Sequence, residues 1–458
     1  MPSSEPAKIK AINRLKSMYA LRAEVDKMYA DGEQATSEHK TVAWVMLGQW
    51  AEPILTAMDV MSIYPENYGS VCAAAGKAGP YLETSDAEGF PTHVCGYARN
   101  CFGYSSKMQE LGGAIPPNAP MGGMPPPNLF VASSEICDAR FKWFQALGHY
   151  FNAPIWTIES PYPGLKESLE QGTDERSVKF LVAQLREFVT FLENLLHRKM
   201  NWDKLDETAR GLAAINRLRW EINRVRKAHP GPMHSKDLWS TITAAFFRGS
   251  ESKVVLDGFQ KMLEEVKQRA ATGVSALNVP EKFRMSFDGL PPWHSLDIFD
   301  KLAARGWNFV IESNYRPYTP VNIDLAKYSD PLERYVRERF QSTNNTLDVE
   351  YAPVEAASIR EEIMRTGSSA ILAVKHVRDC ECDGMVIHIL LSCRSASLNL
   401  CAMQQKAMDL LKVPALVWEG DMVNASLFDP AEILKNAEAF EETMAYYQQI
   451  RKESGPGK

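Results

Sequence analysis

The feature that most constrains the fold of this chain is an alternation that occurs twice. Short apolar runs recur between stretches of helical periodicity, first over residues 41–173 and again from residue 291 onward. The runs at 41–47 (TVAWVML), 60–64, 129–133 and 154–158 are too short for core helices and rich in β-branched and aromatic residues, so each reads as a strand. The second set is 307–312, 370–374, 385–391 and 414–418. Strands separated by helix-length segments imply a parallel sheet with crossover helices. The Pro/Gly-rich segment 112–127 (GGAIPPNAPMGGMPPP) can be neither helix nor central strand.

Between the two sets the pattern is helical. Leu181, Leu185, Phe188, Leu192 and Leu195 share one helical face, and Leu205, Leu212, Ile215, Leu218, Ile222 and Val225 mark a second helix that ends before Pro230-Gly231-Pro232. A third runs near 252–271 and stops at Gly273. Residues 8–30 predict an amphipathic N-terminal helix and 430–450 a final one. The expected fold is α/β, with two Rossmann-like parallel-sheet domains joined by a helical segment. The divisions are an N-terminal helical segment over 1–40, a first α/β domain over 41–173, a helical connecting region over 174–290, and a second α/β domain with a C-terminal helix over 291–458.

With 458 residues, 45% of them apolar and 24% charged, the chain can bury two ordinary cores. A net charge of −6 speaks against nucleic acid as a partner, because phosphate backbones need a basic surface. No apolar run approaches the roughly 20 residues of a membrane span, and Met1–Lys10 lacks a secretory core, so no membrane association and a cytoplasmic location are expected. A Walker A loop, a GxGxxG after a strand and a GxSxG are all missing, which removes the simplest ATPase, dehydrogenase and hydrolase readings.

The eight cysteines are too sparse for a disulfide scaffold. Their placement is informative. Ligands of open α/β sheets bind beyond the carboxyl ends of the strands. Cys137 follows the strand 129–133 by four residues, Cys393 follows 385–391 by two, and Cys95 lies in a connecting segment that can reach the same crevice. Three thiolates from three distant segments suit an iron–sulfur cluster. Zinc is the competing metal, but it favours CxxC pairs, and the close pairs here are Cys95/Cys101 and Cys380/Cys382. Cys101 is the alternative first ligand. Cys380 and Cys382 read as a polar surface loop, Cys72 as buried packing, and Cys401 as core.

Five segments then resemble one known family in order along the chain. YPENYGSVCAA (64–74), HVCGYARNCFG (93–103), LFVASSEICDARFKWFQAL (129–147), DGMVIHILLSCRSASLNL (383–400) and PALVWEGDMVNASLFDPAEI (414–433) are similar to segments of 2-hydroxyacyl-CoA dehydratase and benzoyl-CoA reductase subunits. The resemblance implies that Cys95, Cys137 and Cys393 ligate one [4Fe–4S] cluster. It also implies a second homologous subunit with its own cluster, a separate ATP-hydrolysing iron–sulfur activator, and an acyl-CoA substrate. One electron added to the thioester carbonyl gives a ketyl that can expel a hydroxide or begin dearomatisation of a benzoyl ring. The implied activity is (R)-2-hydroxyacyl-CoA dehydration. The alternatives are ATP-dependent benzoyl-CoA reduction, a non-catalytic electron relay, and a double-cluster reductase. Relatives carry a Pro-x-Glu after the first strand; the nearest match here is Trp50-Ala51-Glu52-Pro53, which makes Glu52 a catalytic candidate. His93, two residues before Cys95, is the second, as a proton or hydrogen-bond donor. His388 reads as a core residue, and Arg99 and Arg394 as partners of a CoA phosphate or of the cluster's charge.

Overall fold

The structure, a computed structural model, describes residues 10–47, 50–161, 175–247, 253–320, 323–344, 351–366 and 370–454. It contains two four-stranded sheets in which every pairing is parallel. In the first, β1 (Val42–Val45), β2 (Met61–Ile63), β3 (Leu129–Ser133) and β4 (Ile155–Ile158) are ordered β2-β1-β3-β4. In the second, β5 (Phe283–Asp288), β6 (Trp307–Glu312), β7 (Gly384–Leu390) and β8 (Ala415–Gly420) are ordered β6-β5-β7-β8. The two orders are the same. Each sheet starts in its interior, steps to one side, then crosses to the other, so its topological switch points lie between β1 and β3 and between β5 and β7. Two Rossmann-like α/β units are therefore present, as the alternation implies.

The inner strands of the first sheet read as continuous apolar runs because both faces are covered, and β1 and β3 are buried at every position. The helices Glu175–Leu196, Trp202–Val225, Ser235–Phe247 and Lys253–Thr272 form the block between the sheets. The N-terminal helix Met18–Ser37 packs on that block, with Leu21 seated where a Cβ on Gly258 would lie 2.7 Å away.

Three expectations are corrected. Residues 370–374 form the first half of the helix Ala370–Asp379, in which Ala370, Val374 and Val377 bury one face; the run AILAV satisfies a helical period as well as a strand. Cys380 and Cys382 are buried beneath the second sheet and are not a surface loop. Cys401 is exposed on the helix Leu400–Leu411 and is not core. The sequence also fails to announce β5. Its segment FRMSFD carries Arg284 and Asp288, yet all six residues are buried. Arg284 is accommodated by an ion pair with Glu281 at 3.0 Å and by the carbonyls of Cys380 and Ala228.

Close helix packing next to the first cysteine loop depends on Gly103. In the helix Gly96–Glu110 it faces the helix Ala78–Ala87, and a Cβ there would stand 1.8 Å from the Tyr81 carbonyl oxygen. Alanine in a helix gains about 1 kcal/mol over glycine. Forcing two packed helices apart costs about 1–3 kcal/mol or more, so the clash wins. Gly103→Ala is expected to lower the melting temperature measured by circular dichroism, and an unchanged or raised value would contradict this packing.

A thiol-lined cavity as the candidate functional site

Cys95, Cys137 and Cys393 line one cavity of about 420 Å³ between the two sheets. Each stands immediately before a helix. Cys95 is the N-cap of Gly96–Glu110, Cys137 lies two residues before Ala139–Leu147, and Cys393 is the N-cap of the short helix Arg394–Ser397. Leu47, just past β1, and Leu290, just past β5, lie in the same wall, so the switch points of both sheets open onto this space.

Burial pushes the Cys95 thiol well above its ordinary pKa, and the nearby charge of Cys393 adds to that; a backbone N–H from Ala98 pulls the other way. Burial also raises Cys137, opposed by the Arg140 guanidinium and the Arg140 N–H. The positive ends of two helices thus face Cys95 and Cys137 and partly offset the effect of burial. The backbone before Cys137 is strained, since the β-branched Ile136 has φ 77°. Among the described residues no three His, Cys, Asp or Glu side chains lie close enough to hold a single metal ion. Ligands of one zinc, at about 2.3 Å each, stand about 4 Å from one another, whereas thiols on different irons of a cluster stand farther apart. The donor set could hold a group larger than one ion.

A hydrogen-bond relay joins the loops of the two halves. The Gly96 N–H donates to Ser392 Oγ at 3.0 Å, and the Ser392 hydroxyl donates to the Asp421 carboxylate. Asp421 also accepts from the Val423 and Asn424 N–H groups at 2.7 and 2.8 Å. Trp293 Nε1 donates to Tyr97 Oη at 2.6 Å, a second bond between the halves.

Glu66 is the acid that reaches this cavity. It forms a two-pronged pair with Arg140 at 2.9 and 3.0 Å and accepts the Leu47 N–H at 3.1 Å. Leu47, Glu66, Tyr97 and Tyr315 also line an adjoining, mostly apolar cavity of about 520 Å³. The sequence does mark Glu66, in the Pro65-Glu66-Asn67 motif, but gives it no role. Glu52 does not line either cavity. It is buried at the start of the helix Glu52–Ala57, in a smaller pocket with Arg219, Glu338 and Arg339. His93 is exposed and lies outside the thiol-lined wall. Cys101 is fully buried elsewhere in its helix, as is Cys72. Arg99 is buried and pairs with Asp86, while Arg394 forms an exposed pair with Asp138, the residues that follow Cys393 and Cys137. His388 is buried, with its Nδ1 on the Leu290 carbonyl at 2.7 Å, and burial lowers its pKa to about 4.

Two outcomes test this electrostatic frame. Arg140→Met leaves Glu66 without its partner and is expected to cost about 3–5 kcal/mol in urea denaturation; adding Glu66→Leu should recover most of that. Additive losses in the double variant would show that the pair is not a unit. Asp288, at the end of β5, is pushed up to about 6 by burial, against the hydrogen bonds of Ser286 and Ser313. Its folded pKa exceeds its unfolded value of about 3.9, so the folded state binds the extra proton and stability is lost as pH rises from about 4 to about 6. Asp288→Asn should remove that loss, worth about 3 kcal/mol by pH 7. Parallel pH profiles for the two proteins would refute it.

The family described as 2-hydroxyglutaryl-CoA dehydratase, D-component, matches residues 49–444. The (R)-2-hydroxyisocaproyl-CoA dehydratase alpha subunit of Clostridioides difficile is 22% identical over 419 residues, which covers 91% of this chain and 93% of that one. The (R)-phenyllactyl-CoA dehydratase alpha subunit of Clostridium sporogenes is 23% identical over 438 residues, covering 95% and 97%. A benzoyl-CoA reductase subunit of Thauera aromatica is 24% identical over 452 residues, covering 95% of each chain. Matched over nearly its whole length, the chain belongs to the 2-hydroxyglutaryl-CoA dehydratase D-component family.

Proposed function

We propose that this chain is the iron–sulfur subunit of an ATP-activated radical acyl-CoA enzyme and acts as an (R)-2-hydroxyacyl-CoA dehydratase. The observation that carries the reading is the meeting of Cys95, Cys137 and Cys393 in one cavity at both sheets' switch points. These residues would hold one [4Fe–4S] cluster, which would supply one-electron chemistry and a Lewis-acidic iron for a thioester carbonyl. The protein orients the substrate and excludes water. The thioester sits in the thiol-lined cavity and the acyl side chain enters the adjoining apolar one. Glu66, paired with Arg140, stands in the shared wall and accepts a hydrogen bond from a substrate hydroxyl. Tyr97, fixed by Trp293, closes the wall beside it.

The names of the relatives support the same reading, because dehydratase alpha subunits recur among them, and "alpha" implies a second subunit. The proposal includes that subunit with its own cluster, a separate ATP-hydrolysing activator, and a cytoplasmic setting; no helix among the described residues is long and apolar enough to cross a membrane. Benzoyl-CoA reduction is the second reading, favoured by the 24% identity to a reductase subunit over 95% of the chain.

Iron and acid-labile sulfide, measured per chain after anaerobic purification, provide the test. About four of each are expected in the wild type. Cys95→Ser, Cys137→Ser and Cys393→Ser should lose most of both, while Cys101→Ser keeps them. A well-folded wild type without iron, or with zinc instead, refutes the cluster. With the activator and partner present, turnover of a 2-hydroxyacyl-CoA or of benzoyl-CoA separates the two readings.

A further inference from the structure

Behind Arg316 and Pro317, which also line the thiol cavity, lies a second and smaller pocket of about 120 Å³. Arg224, Lys227, Arg316 and His376 line it, and none of its lining residues is acidic. Arg224 makes no ion pair among the described residues; its guanidinium is held over the Trp220 ring, 4.9 Å from the centroid. Lys227 meets Asp379 at 3.4 Å. Burial lowers the pKa of His376, and the cations Arg316, Lys227 and Arg378 lower it further, so the space is electropositive.

The inner wall supplies an independent sign of a missing ligand. Asn223 is 8% exposed, and its Nδ2 has no hydrogen-bond partner. Its orientation is fixed, because Oδ1 accepts from Arg226 Nη1 at 3.0 Å, so the orphan is the NH₂ donor and not an acceptor. A buried donor without an acceptor costs about 1–3 kcal/mol. The helix Trp202–Val225 ends here, and its dipole, equivalent to roughly half a negative charge, opposes an anion. The full charge of Arg224 outweighs it even with Lys227 discounted for its pairing with Asp379.

We propose that this pocket binds a phosphate group. A fork donor, a point charge and an amide NH₂ stand on the wall of one small space, a donor set suited to the several oxygens of a phosphate. The phosphate comes either from the coenzyme A arm of the substrate, a source that rests on the acyl-CoA reading above, or from free inorganic phosphate.

The test is isothermal titration of the anaerobically purified protein with inorganic phosphate, coenzyme A and dephospho-coenzyme A. Wild type is compared with Arg224→Glu and Lys227→Gln, both at exposed positions, with melting curves as the control for folding. If coenzyme A is the source, its affinity falls on the order of tenfold or more in both variants, while that of dephospho-coenzyme A does not change. If the source is free phosphate, inorganic phosphate binds the wild type, fails to bind the variants, and coenzyme A is unaffected. Phosphate binding that depends on Arg224, in a protein that binds no coenzyme A, would sink the acyl-CoA reading and keep the pocket. Affinities for phosphate and coenzyme A that are the same in all three proteins overturn the proposal.

Discussion

The site's geometry depends on the relay from Gly96 through Ser392 to Asp421. It ties the first cysteine loop to the third across the boundary between the two sheets. Each member of the relay is adjacent to something the site needs: Gly96 follows Cys95, Ser392 precedes Cys393, and Asp421 follows β8. A Cβ on residue 96 would lie 2.5 Å from Asp421 Oδ1, so the approach is possible only for glycine. The buried carboxylate is acceptable because three donors satisfy it. Met422 and Val423, the next residues, pack into the hydrophobic core of the first half. Polar and apolar contacts thus close the same seam.

Bringing three half-buried thiols together has an electrostatic cost, visible in the raised pKa of Cys95, where burial and the charge of Cys393 act together. The chain offsets it locally. Backbone N–H groups at the starts of the helices Gly96–Glu110 and Ala139–Leu147 point at two of the sulfurs, and Arg140 brings a full positive charge. Arg140 is itself buried, which is tolerable because Glu66 and the carbonyls of Leu47 and Glu135 take up its two NH₂ groups, leaving only Nε without a partner among the described residues. The ion pair and the cysteine loop therefore support each other.

Much of this was legible in the sequence. Doubly covered strands read as apolar runs, so β1, β3, β6 and β7 stand at or within a residue or two of their expected bounds. The cysteines at strand ends marked the cavity, because a parallel sheet gathers its carboxyl-end loops on one side. The failures share a cause: tertiary context. Arg284 and Asp288 disguised the central strand β5, because Arg284 is satisfied by Glu281 together with the carbonyls of Ala228 and Cys380, far off in sequence, and burial pushes the Asp288 pKa up to about 6. Glu52 and Glu66 are both acids near the first strand, and only the path of the chain shows which one faces the thiols. The orphan Nδ2 of Asn223 has no sequence signature, since it is defined by what does not touch it.

The two sheets share a strand order but contribute unequally to the cavity. The first half gives Cys95 and Cys137, the Glu66–Arg140 pair and most of the apolar annex; the second gives Cys393 and the segment 313–319 after β6. In that segment Tyr315 has φ 66°, a conformation uncommon outside glycine, held between Trp293 and the cavity. The next two residues, Arg316 and Pro317, form the partition from the basic pocket. The short segment that brings Tyr315 to the wall of the thiol cavity therefore also closes the basic pocket, so one stretch of backbone after β6 shapes both spaces.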